Sequence, residues 1–95
     1  MIEYIYDAIK ATSGEDIEVN AKITDDDNVC ITTGCGLRIY DKEEKFITRI
    51  EGHCDGEMWT FVIPAELTNT MKGKYTYCIC RDGQTIIFRK PLYLV

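Results

Sequence analysis

From Asp16 the chain alternates, with Ile17, Val19, Ala21 and Ile23 on one side and Glu18, Asn20, Lys22 and Thr24 on the other. A period of two is the mark of a half-buried strand. The acidic run Asp25-Asp26-Asp27-Asn28 ends it, because short polar side chains bond to their own backbone and favour turns. A short segment, Val29 to Thr33, follows, and Gly34-Cys35-Gly36 breaks the chain again. Leu37 to Tyr40 resumes the alternation. The polar run Asp41 to Glu44 predicts a hairpin, with Lys45 to Glu51 as its return strand.

Gly52-His53-Cys54-Asp55-Gly56 reads as a loop. Beyond it, Trp59, Phe61 and Ile63 alternate with Met58, Thr60 and Val62, which predicts a strand apolar on both sides and central in its sheet. Pro64 to Thr68 predicts a single helical turn, since Pro suits a helix start and Ala, Glu and Leu favour helix. Lys74 to Arg81 and Gln84 to Lys90 flank Asp82-Gly83, a pair preferred in two-residue hairpins.

Counting outward from that turn pairs Arg81 with Gln84, Cys80 with Thr85, Ile79 with Ile86, Cys78 with Ile87 and Tyr77 with Phe88. One face then holds Tyr75, Tyr77, Ile79, Ile86 and Phe88 as core. The other holds Cys78, Cys80 and Ile87 among Thr76, Thr85 and Arg89, a semi-apolar face predicted to meet a partner. Pro91 cannot donate to a ladder, which predicts a bulge or an edge position before Leu92 and Leu94.

About seven short strands with turn signals between them predict an all-β fold, an immunoglobulin-like antiparallel sandwich forming one domain over residues 1–95. Six Tyr, three Phe and one Trp supply the large side chains that so short a chain needs for a core. A net charge of −5 has the wrong sign for nucleic acid or anionic lipid, so neither is an expected partner. The start Met1 to Asp7 lacks a signal pattern and no apolar run spans a membrane, so the expected place is the cytoplasm.

The cysteines at 30, 35, 54, 78 and 80 are odd in number and are read as reduced thiols. His53, beside Cys54, is the only histidine, and neighbours in extended chain point apart, so no Cys–His nucleophile pair is predicted. Cys30 and Cys35 stand at the margin of zinc-ligand spacing, and a zinc or thiol function stays as an alternative to hydrophobic thiols. Ser13, the sole serine, lacks a nucleophile elbow, and Asp25 to Asp27 lack a calcium-loop spacing. The expectation is a chain with no catalytic residues, no cofactor and no bound metal.

The stretch Trp59-x-Phe61-x-Ile63-Pro64-Ala65-Glu66-Leu67-Thr68, then Gly73-Lys74-Tyr75-x-Tyr77 and Asp82-Gly83, resembles the immunoglobulin-like domains of tailed-bacteriophage baseplate and tail proteins. The baseplate upper protein N-terminal domain is the nearest such family. The likeness covers roughly Leu37 to Val95 and departs from the family at Met71-Lys72-Gly73, which lacks Pro, and in its cysteines. It implies a virion structural protein, assembled in the bacterial cytoplasm, whose partners are other virion proteins or itself. Trp59, Pro64 and Tyr75 are the expected structural corner, Tyr75 bonding back to the turn before it. A second reading is a module that binds carbohydrate or a host protein through loop tips Thr33 to Gly36 and Gly52 to Gly56.

Overall fold

The computed structural model describes residues 9–25, 27–81 and 84–95, with the backbone alone at 84 and 86–89. They form eight strands: β1 (Ile9–Ala11), β2 (Ile17–Lys22), β3 (Cys35–Tyr40), β4 (Phe46–Glu51), β5 (His53–Asp55), β6 (Met58–Ile63), β7 (Gly73–Arg81) and β8 (Gln84–Leu94). One helical turn, α1 (Ala65–Thr68), joins β6 to β7. Five strands make one sheet in the order β1-β8-β7-β3-β4, and three make the other in the order β2-β6-β5. β1 runs parallel to β8, and every other pairing is antiparallel.

The alternation seen in the sequence becomes the two inner faces. Ile17, Val19 and Ala21 of β2 and Trp59, Phe61 and Ile63 of β6 are buried against Leu37 and Ile39 of β3, Tyr77 and Ile79 of β7, and Leu92 and Leu94 of β8. Each such aliphatic or aromatic side chain removed from water contributes roughly 1.5–3 kcal/mol, which offsets the entropy of ordering so short a chain. β6 is central between β2 and β5, but only its Trp59, Phe61 and Ile63 side is buried; Met58 and Val62 on the other side are exposed.

Two segments expected as breaks are strand. Cys35 begins β3 as a core residue, 1% exposed, and Gly36 stays in the strand because the Arg49 side chain lies across it; a Cβ there would meet Arg49 Cζ at 2.5 Å. His53 to Asp55 form β5, so only Gly52 separates a strand of one sheet from a strand of the other. A Cβ on Gly52 would stand 2.5 Å from the Phe61 ring and 2.6 Å from Trp59, so only glycine lets the chain cross between sheets over these rings.

The expected β7–β8 register holds only next to its turn; Asp82 and Gly83 themselves lie outside the described residues. Arg81 pairs with Gln84 and Cys80 with Thr85, but Ile79 then pairs with Ile87 and Tyr77 with Lys90. Irregularities between Tyr77 and Cys80 let β8 carry extra residues against β7. Pro91 sits within β8 opposite Thr76.

Two turns are built alike. One Asp25 carboxylate oxygen accepts from the Asp27 and Val29 amides at 2.9 and 3.0 Å, and one from Asp41 accepts from Glu43 and Lys45 at 2.8 and 2.9 Å. In each, the residue three after the aspartate is left-handed: Asn28 at φ 62° and Glu44 at φ 65°. Asp25 therefore bonds its own turn through the Asp27 and Val29 amides.

Candidate interaction surface

Because Leu37 and Ile39 face the core, Gly36, Arg38 and Tyr40 of β3 share the opposite face of the five-stranded sheet. Across the ladder Arg38 faces Arg49, and an irregularity at the Ile39–Tyr40 step sets Tyr40 opposite Phe46. The Arg38 guanidinium carbon stands 5.6 Å from the centre of the Phe46 ring, and the Tyr40 and Phe46 rings meet edge-on at 5.9 Å. Phe46 is 56% exposed at the outer strand of the sheet. Arg49 pairs with Glu51 and donates to the Gly34 carbonyl at 3.4 Å.

Bonding with Tyr40 leads the causes that hold the Arg38 pKa above its usual value, so this cation stays charged. Its Nε is buried and has no hydrogen-bond partner. An arginine and two aromatic rings at an exposed sheet edge have the composition of an interface anchor: large contact area at small entropy cost.

The predicted interaction face is this same outer face, since the β3–β7 register sets Cys78 opposite Arg38 and Cys80 opposite Gly36. Cys78 and Cys80 of β7 are each 2% exposed, covered on that face by their neighbours and outside the hydrophobic core, with Cys80 Sγ donating to the Gly36 carbonyl at 3.5 Å. Ile87 stands opposite Ile79, not Cys78, and its side chain is outside those described. The period of two at Leu37 to Tyr40 already placed Arg38 and Tyr40 on one side. Phe46 could be matched to them only once the hairpin irregularity was known.

The corner residues have three separate tasks. Trp59 is 3% exposed, stacks on Phe61 at 5.9 Å, and donates from its indole N–H to the Ile31 carbonyl at 2.6 Å. Pro64 caps α1, its carbonyl accepting from the Leu67 and Thr68 amides, both at 3.0 Å. The Tyr75 hydroxyl accepts from the Lys72 amide at 3.1 Å, bonding back to the turn before its strand.

The chemically active side chains are otherwise engaged. The Cys30 thiol is hydrogen-bonded to Glu57, which raises the thiol pKa and lowers that of the carboxyl, and Lys22 bridges Glu57 at 3.3 Å. Burial raises the Cys35 pKa. The Ser13 hydroxyl donates to the Thr68 carbonyl at 2.8 Å. His53 points to solvent from β5, and among the described residues no three His, Cys, Asp or Glu side chains gather as a metal site. The loop tips proposed for sugar carry no aromatic residue, and Trp59 is not available for stacking. No helix among the described residues is long and apolar enough to cross a membrane.

No family profile matches the chain, and no curated protein matches it in sequence. Among solved structures it is similar to the Lin-41 filamin domain, with a TM-score of 0.63 at 12% identity over 90% of this chain and 82% of that one. At that identity the likeness speaks for the fold: this chain is an all-β, immunoglobulin-like sandwich.

Proposed function

We propose that the chain is a non-catalytic structural component of a tailed-phage particle, acting by protein–protein contact. The observation that carries the contact part is the Arg38–Tyr40–Phe46 cluster at the β4 edge, a half-exposed ring held between a cation and a phenol. Such a cluster supports docking, because a preformed aromatic anchor loses little freedom when a partner covers it. The particle part is supported by the sequence likeness from Leu37 to Val95 to baseplate and tail sandwiches.

Docking here changes no bond. The partner covers Phe46, the Arg38 charge meets an acceptor on the partner, and the sandwich supplies a rigid platform. The test is quantitative mass spectrometry of gradient-purified particles of the phage that encodes the chain. The proposal expects the chain at a fixed ratio to the major capsid protein after a high-salt wash. Its absence from washed particles would contradict the reading.

A further inference from the structure

The outer face of the three-stranded sheet is a second surface, on the opposite side of the sandwich from Phe46. With Trp59, Phe61 and Ile63 turned inward, β6 presents Met58, Thr60 and Val62 outward, and Met58 and Val62 are 45% and 44% exposed. The register sets Glu18 beside Val62, Asn20 beside Thr60, and Lys22 beside Met58, with His53 and Asp55 on the far side of Thr60 and Met58. The face therefore has an apolar middle line with an acid at one end of its β2 border and a base at the other. At its centre the Thr60 hydroxyl donates to Asn20 Oδ1 at 2.9 Å.

We propose that this face binds the same face of a second copy, about a two-fold axis that crosses the strands at Thr60. That axis lays Glu18 of each copy over Lys22 of the other and Met58 over Val62. Thr60 then meets its own counterpart. Rotation about an axis along the strands would instead leave Glu18 without an opposite charge, and among the described residues Glu18 has no ion pair within its own chain. Self-complementarity of this kind is what an isologous contact requires.

The patch is small: four residues of rise along β6, about 13 Å, by three strands about 5 Å apart. It falls below the roughly 1,200–2,000 Å² of a stable complex, so the dimer is weak, with a dissociation constant on the order of 100 μM. Weak pairing suits copies already held side by side on a larger assembly, where effective concentration is high.

The test is sedimentation velocity of the purified chain from about 10 μM to about 1 mM. The wild type is expected to shift from monomer to dimer across that range. Glu18→Lys and Lys22→Glu should each weaken dimerisation at least about tenfold, and the double variant Glu18→Lys/Lys22→Glu should restore it to within about threefold. Glu18→Lys is the cleaner single change, because Lys22 also bridges Glu57 at 3.3 Å in its own chain. Circular dichroism verifies folding in each case. A wild type monomeric at the highest concentration, single variants that still dimerise, or a double variant that does not recover would each overturn the proposal. Phe46→Asp must leave this dimer intact, which separates its fate from that of the docking cluster on the other sheet.

Discussion

The Thr68 hydroxyl accepts a hydrogen bond from the Gly14 amide at 3.1 Å, joining α1 to the β1–β2 loop across 54 positions of the chain. The same oxygen lies 2.7 Å from the Glu15 carbonyl, and nearby the Asp16 carboxylate accepts from the Ala65 amide at 2.6 Å. Thr68 is the one fully buried polar residue among those described. Thr68→Val keeps the shape and strands both loop groups, which should cost about 1–3 kcal/mol of stability. Urea denaturation followed by Trp59 fluorescence measures it.

Two glycines with similar close contacts should respond differently. Gly52→Ala drives a methyl into the Phe61 and Trp59 rings, 2.5–2.6 Å away and fixed in the core, and should destabilise by about 1–3 kcal/mol. Gly36→Ala meets only the far end of Arg49, which can swing aside, so its cost should stay below about 1 kcal/mol. Thermal melts of both variants make the comparison.

Tyr77 is 1% exposed and its hydroxyl is buried without a partner. Tyr77→Phe should therefore stabilise the fold by about 1 kcal/mol. Burial disfavours the phenolate and pushes the Tyr77 pKa up from 10.0 to about 12. Between those values the folded chain keeps a proton that the unfolded chain loses, so stability holds below pH 10 and falls as pH rises toward 12. Urea midpoints across that range should decline in the wild type and decline less in Tyr77→Phe.

In the β3–β4 hairpin, Asp41→Ala removes an acceptor shared by the Glu43 and Lys45 amides and should cost about 1 kcal/mol. Glu44→Gly relieves a left-handed backbone at φ 65° and should stabilise by about 0.5–1 kcal/mol. Chemical denaturation of the two variants should move in opposite directions.

Much of the sandwich was legible from side-chain alternation alone, because β2, β6 and β3 from Leu37 onward each bury every second residue. Cys35-Gly36 and His53-Asp55 misled because glycine signals a turn in the sequence. Here Gly36 and Gly52 instead mark where Arg49 and two core rings approach the backbone. The β7–β8 register was predictable only as far as Cys80–Thr85, since the irregularities beyond it leave no compositional trace. They separate Ile87 from Cys78, and burial of Cys78 and Cys80 leaves the accessible part of the same sheet face to β3 and β4. The Arg38–Phe46 contact depends on a second irregularity, so no fixed count along the hairpin reaches it.

The docking role of that contact is tested most directly by the copy number of Phe46→Asp in washed phage particles, relative to wild type, with matched circular dichroism spectra. The account predicts at least a tenfold loss of incorporation, equivalent to about 1.4 kcal/mol or more of docking energy. Incorporation equal to wild type would contradict it.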